Sequence, residues 1–293
     1  MFRILFTMVL LAVFAATPLR AEWQNKQFAW EKCNTSIPGV LLAEWQFNTP
    51  RLICVYALRI DLQTPGLQFH VTGKAPGYGY PMPEDALFTV RTRRQTTVDF
   101  FNDLLQKEHH PMVAAINGAP WKPWVAPWNH PFADCMGLLI SDGDVVLPSN
   151  GIKPSLIIFK DGRAEMKLLK PDADLSGIRH AISGFFFVLE KGVPSGNKKN
   201  TAPRTGIGLS ADRRYMYWVV ADGRQENYSL GMTVYEVGTF LRYLGADVGL
   251  NMDGGGSSTL VVLRQNRAVM LNRQPKNSIR KVGSSIGISI ARP

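Results

Sequence analysis

Nine residues limit this 293-residue chain more than any others: Asn251-Met252-Asp253-Gly254-Gly255-Gly256-Ser257-Ser258-Thr259. Glycine loses more backbone freedom on folding than any other residue, so three in succession argue against a helix or strand at that point. They mark a place where the chain turns tightly or where something approaches the backbone closely. Val248, Leu250 and Met252 alternate as a strand leading in, and Leu260-Val261-Val262-Leu263 is apolar and β-branched enough for a strand leading out. Asp253 therefore stands at the end of a buried strand, among bare peptide groups and hydroxyls. Such a segment suits a polar ligand. The alternative is a tight turn whose Asp253 caps its own backbone.

The flanking chain alternates strands with turns. Residues 51–62 and 67–72 read as a strand pair turned at Thr64-Pro65-Gly66, followed by a surface loop over 73–85. Val98, Phe101, Leu104 and Leu105 predict a helix over 97–109, ended by Pro111, and 112–116 is a short buried strand. The segment 119–134 places Trp121, Trp124 and Trp128 among four prolines, which excludes a regular element. Its tryptophans either pack over a core edge or form a stacking platform for sugar rings. Hairpins are predicted around Asp142-Gly143 and Asp161-Gly162. One apolar strand covers 181–189, a polar basic loop 191–205, and strands 207–209 and 215–220 flank Asp212-Arg213. Thr233 with Glu236 forms a capping box before the stripe Val234, Val237, Phe240, Leu241 and Leu244, and Gly245 stops that helix. A last strand covers 285–290. Two main helices among many strands predict an α+β, loosely α/β, fold: a single domain of mixed β-sheet with a few packed helices and a site at strand ends.

Residues 1–21 read as a secretory signal peptide, with Arg3 at the start, an apolar core from Ile4 to Ala16, and Ala21 before Glu22. A retained N-terminal anchor is the alternative. No second apolar segment is long enough to cross a membrane. The implied location is periplasmic or secreted. The chain carries a net charge of +10, and without residues 1–21 the balance is about +8. A basic exported protein meets anionic polymers, phosphorylated glycans or membrane surfaces. Nucleic acid is not indicated, because the basic residues are scattered and no recognition motif accompanies them. Three cysteines in an oxidising compartment make one pair and one leftover. Cys33 with Cys54 is the favoured disulfide, clipping the N-terminal arm to the first long strand, with Cys135 a buried thiol.

Three further clusters lie at strand ends: Asn117-Gly118, Arg204-Thr205 and Asp222-Gly223-Arg224. Two arginines beside two aspartates and an asparagine suit an anionic substrate, because guanidinium forks match phosphate oxygens. The competing readings are a loop salt bridge for Arg204 and a plain turn at Asp222. The five histidines never fall at metal-ligand spacing, no serine-hydrolase elbow occurs, and Gly254 to Ser258 lacks the lysine of a phosphate-binding P-loop. No cofactor is implied. A hard cation held by Asp253, Asn251 and carbonyls stays open as an alternative.

These motifs together carry a resemblance. Asp222-Gly223-Arg224-Gln225, Ser229-Leu230-Gly231-Met232-Thr233, Glu236, Leu244-Gly245-Ala246 and the Asn251–Thr259 tract follow one another in the order and spacing of the phosphodiester glycosidase family. Pro203-Arg204-Thr205 and Ala115-Ile116-Asn117-Gly118 resemble its upstream motifs. The resemblance is specific over about 200–262 and thinner over 87–190. It implies that 86–293 is a catalytic domain; it does not extend to 22–85, which the residues themselves mark as N-terminal strands and a loop.

It also implies hydrolysis of a sugar–phosphate bond in an exported or cell-envelope glycan. A phosphate leaves easily, so such a site needs charge stabilisation for the leaving group and a carboxylate near the oxocarbenium-like centre. On that basis Asp253, Asp222 and Arg204 are the candidate catalytic residues. Asn117, Gly118, Trp121, Thr205, Arg224, Asn251, Gly254, Gly255, Gly256, Ser257 and Ser258 are the candidate substrate contacts. After Asn117-Gly118 the family pattern Gly-Phe-Phe is replaced by Ala119-Pro120-Trp121, which implies a different sugar-binding wall and a different substrate. Two rival functions are a non-enzymatic binder of anionic exopolysaccharide and a hydrolase or lyase of a phosphate-free polysaccharide backbone.

Overall fold

A computed structural model describes Trp23 and residues 27–32, 37–107, 111–124, 130–276 and 279–291. The expected signal peptide, Cys33 and Trp128 lie outside the described residues.

The α+β expectation does not hold. Two α-helices of 11 residues each are outweighed by strands in four sheets, and the ladders among the described residues are antiparallel. The physical reason lies in the connections. Tight turns such as Asp142-Gly143 return the chain directly beside itself, whereas parallel neighbours need a long crossover.

The largest sheet has seven strands in the order Val40–Phe47, Ile53–Asp61, Tyr215–Ala221, Arg204–Leu209, Val248–Asn251, Phe186–Glu190 and Val193–Pro194. A five-stranded sheet runs Arg267–Met270, Leu260–Arg264, Met112–Asn117, Ser285–Ile290, Leu67–Val71. A second five-stranded sheet joins the two predicted hairpins through Ile178–Ser183. A three-stranded ribbon pairs Thr92–Arg93 and Trp121–Lys122 with Phe132–Cys135, so the tryptophan segment holds two short strands where none was expected.

Two other expectations change. Ile53–Asp61 and Leu67–Val71 do not pair with each other; the turn between them carries the chain from one sheet to another. The apolar run 181–189 splits at Gly184, where a side-chain carbon would press on the Asn251 carbonyl at 2.8 Å.

The first helix, α1 (Thr97–Lys107), sets Phe100 and Phe101 on Met112, Ala115 and Val261. The second, α2 (Val234–Leu244), has both bonds of the capping box, and Gly245 closes it at φ 110° in the left-handed region that favours glycine. Val237, Phe240 and Leu241 are fully buried against Val55 and Val219 on the outer face of the seven-stranded sheet. Burial of such side chains is worth roughly 1.5–3 kcal/mol each, and it holds the helix more than propensity does. On the sheet's other face Ile207, Trp218 and Leu250 meet Ile116, Leu260 and Ile286 in the main core. Pairing of Arg204 with Ala221, Gly206 with Asn251 and Ile116 with Leu260, with the Thr205 hydroxyl bonded to Asn117 across the sheets, brings five strand ends to one place.

Cys54 is a buried free thiol whose Sγ lies 3.6 Å from the Tyr228 carbonyl, so the expected bond to Cys33 is not made in the structure. Cys135 is buried as expected, and burial pushes its thiol up to about 12, the reverse of what a nucleophile needs.

Candidate active site

Asn117 ties the strand ends together. Its Nδ2 donates to the Asp253 carbonyl at 2.7 Å, while its Oδ1 accepts from the Thr205 hydroxyl at 2.8 Å and the Thr259 N–H at 3.1 Å. Asn117 and Thr205 are fully buried, so their side chains hold the site and do not face a ligand. The Gly118 carbonyl accepts from the Asp253 N–H, and a side chain at Gly118 would strike Ser284. Three predicted substrate contacts are thereby framework.

The frame presents the Asp253 carboxylate, which is half-buried. Oδ1 accepts from the Gly254 N–H at 2.9 Å, so the backbone-capping reading of this turn is realised on one oxygen. Oδ2 accepts from the Trp121 indole N–H at 3.2 Å. Burial raises the carboxyl to about 6, and Ser257, the Gly254 N–H, Arg280 and Trp121 oppose that rise. Trp121 is itself buried, which closes its ring faces to a sugar. Its role here is to hold Asp253. Trp124 is half-exposed, with Phe185 at 6.3 Å between ring centres.

The glycines divide their work. Gly254 donates to Asp253, and Gly255 donates to the Pro203 carbonyl at 2.9 Å. Gly255 sits at φ 63°, and a side-chain carbon there would meet the Arg224 guanidinium at 3.2 Å. One at Gly256 would meet the Arg280 guanidinium at 2.8 Å. Only glycine lets two guanidinium groups lie against the loop in this way. The sequence showed Arg224 but gave no sign of Arg280, which lies in a segment without a motif.

Asn251 Oδ1 and the hydroxyls of Ser257 and Ser258 are buried without a well-formed protein hydrogen bond. Buried polar atoms are paired in the great majority of cases, and an unpaired one costs about 1–3 kcal/mol. Three between the end of the Val248–Asn251 strand and Ser258 mark a place built for polar company.

Asp222 is placed differently. It is fully buried, and its carboxylate accepts from the Tyr228 hydroxyl at 3.1 Å, Asn272 Nδ2 at 3.2 Å and the Arg273 N–H at 2.9 and 3.0 Å. Burial lifts it to about 6 in spite of these donors. Asn272 also donates to the Ser258 carbonyl and accepts from the Leu260 N–H. Asp222 therefore anchors the 272–276 segment to the glycine loop. Among the described residues Arg204 forms no loop salt bridge; it donates to the carbonyls of Met232 at 3.2 Å and Asn200 at 3.0 Å. Burial, then the nearby charge of Arg224, lowers its pKa.

Beside Gly256 opens a cavity of about 560 Å³ whose wall includes Arg94, Arg224, Lys276, Arg280 and Lys281, with no acidic side chain among the described residues. Among the described residues no three His, Cys, Asp or Glu side chains gather as a metal-binding group. No helix among them is long and apolar enough to cross a membrane.

The profile of the phosphodiester glycosidase family matches residues 110–289. The chain belongs to that family. No curated protein matched it in sequence. The catalytic domain of zebrafish N-acetylglucosamine-1-phosphodiester alpha-N-acetylglucosaminidase, auto-inhibited by its pro-peptide, is 18% identical, over 89% of this chain and 86% of that one, with a TM-score of 0.61. A protein from Synechocystis superposes with a TM-score of 0.63 at 11% identity, covering 86% of this chain and 62% of its own. A Burkholderia pseudomallei protein described as exported gives 0.58 at 14% identity, over 81% and 74%. At these identities the three share the fold with this phosphodiester glycosidase family member.

Proposed function

We propose that this protein hydrolyses the sugar–phosphate bond of a glycosyl phosphodiester in an anionic glycan outside the cytoplasm. Family membership supports the reaction class. The signal-like residues 1–21 and the basic balance support the location and the anionic partner.

One observation carries the reading: the charge of Arg280, a residue in the wall of a basic cavity, acts on the half-buried carboxylate of Asp253. On this reading the carboxylate stabilises positive charge on the anomeric carbon, and the guanidinium groups of Arg224 and Arg280 take the leaving phosphate. The anomeric C–O bond breaks with its electron pair passing to the phosphate oxygen. Water supplies hydroxide to the sugar and a proton to the medium. A carboxyl raised to about 6 is mostly ionised at neutral pH, as this role requires. Asp222 and Arg204 are positioning residues on this reading, because hydrogen bonds within the protein already engage them.

The test is to incubate the purified protein with sugar-1-phosphodiesters and identify the products by mass. Free sugar and a phosphate monoester are expected. Asp253→Asn should keep its circular dichroism and lose at least about a hundredfold in turnover, the range found when a key charged group is removed. A variant that retains the wild-type rate eliminates Asp253 as the acting carboxylate. Glycan binding without release of sugar points to the binding-protein alternative.

A further inference from the structure

The cavity beside Gly256 is more highly charged than one phosphodiester needs. The scissile phosphate carries a single negative charge, yet five cationic side chains line the wall. Arg224, Lys276 and Lys281 make no ion pair with a carboxylate among the described residues. Lys276 and Lys281 are exposed, and they extend the basic wall beyond the two arginines that meet the glycine loop.

The cations are also held together against their mutual repulsion. Arg94 is stacked 4.4 Å over Trp121 and donates to the carbonyls of His130 and Lys281, and its pKa is lowered by burial and then by the charge of Arg280. Burial and then the charge of Arg224 lower the pKa of Arg204 in the same way. Like charges gathered in this way destabilise the ligand-free protein, and a multiply charged anion relieves them more fully than a singly charged one. Guanidinium forks favour phosphate oxygens as that anion.

We propose that this cavity is a subsite for a second phosphate on the leaving-group side, so that the substrate is a glycosyl phosphodiester whose aglycone is itself phosphorylated. The inference rests on the hydrolase reading for the words "leaving-group side", while the subsite itself stands on the cavity. The second phosphate is either joined directly, as a diphosphate, or separated by a short linker, as in a polymer with repeating phosphodiesters.

Calorimetric titration of the purified full-length protein with inorganic phosphate, diphosphate and propane-1,3-diol bisphosphate tests it. At least one doubly phosphorylated probe should bind about tenfold or more tighter than inorganic phosphate, and the better of the two identifies the spacing. The double variant Lys276→Ala, Lys281→Ala should reduce that preference to within about twofold, with its thermal melt confirming the fold. A wild-type preference near one overturns the proposal, and so does a preference that survives in the double variant. The titration needs no turnover. A protein that shows the preference but releases no sugar keeps the subsite and loses the hydrolase reading; one that turns over simple phosphodiesters without the preference does the reverse.

Discussion

The indole N–H of Trp121 donates to Asp253 Oδ2 at 3.2 Å, while Arg94 stacks on the same ring at 4.4 Å. The tryptophan thus couples the Asp253 carboxylate to Arg94 in the wall of the basic cavity. It also tunes the carboxyl, because a donor to the charged form favours ionisation. Trp121→Phe retains most of the volume and removes the donor. The acid limb of the pH–rate profile should move to higher pH, and kcat/KM at pH 6 should fall roughly tenfold, in line with losing one charge-assisted hydrogen bond. Profiles of wild type and variant on one nitrophenyl phosphodiester sugar measure both effects. An unmoved acid limb separates Trp121 from the titration of Asp253.

Stability should respond to the same two acids. Asp222 and Asp253 are each raised to about 6 by burial, above the value of about 4 for a free aspartate. Between those values the folded protein binds more protons than the unfolded chain. Their contribution is therefore fully present below pH 4 and is lost as pH rises to about 6. In Asp253→Asn, the fall in denaturation midpoint across that window should be shallower than in wild type. Urea titrations at half-unit intervals of pH provide the comparison, and parallel slopes count against the raised carboxyl.

Asp222→Asn tests the anchor. The carboxylate serves donors from Tyr228, Asn272 and the Arg273 backbone. An amide keeps the shape but turns one acceptor into a donor facing donors. About 1–3 kcal/mol of unfolding free energy should be lost, the usual cost of an unmet buried polar group. Activity should fall mainly through KM, as the 272–276 wall loosens. A loss confined to kcat, with stability unchanged, assigns Asp222 to the chemistry instead.

Thr233→Ala removes one arm of the capping box, in which the Thr233 hydroxyl accepts from the Glu236 N–H at 3.2 Å. Glu236 keeps its ion pair with Arg51. A loss of about 1 kcal/mol, within the usual 0.5–2 for such caps, is expected in chemical denaturation. Because α2 backs the strands that end at Arg204 and Asn251, a modest loss of activity should accompany it.

The local signals were the legible ones. Thr233, Glu236 and Gly245 gave α2 its limits, and the Ser285–Ile290 strand was bounded correctly, because caps and alternation are written in neighbouring residues. Asp253 was exposed to view by the glycines around it, and the family motifs brought Asn117, Arg204, Asp222 and Arg224 into one neighbourhood. Which strand pairs with which was not local. The partners of Ile53–Asp61 lie at Val40–Phe47 and Tyr215–Ala221, and no turn signal encodes the latter pairing. Only the tertiary structure separated the acids, because burial and hydrogen-bond partners come from distant segments. It closed Asp222 behind Tyr228, Asn272 and Arg273, left Asp253 half-open, turned Asn117 and Trp121 inward as supports, and laid Arg280 on Gly256 from a segment the sequence left unmarked.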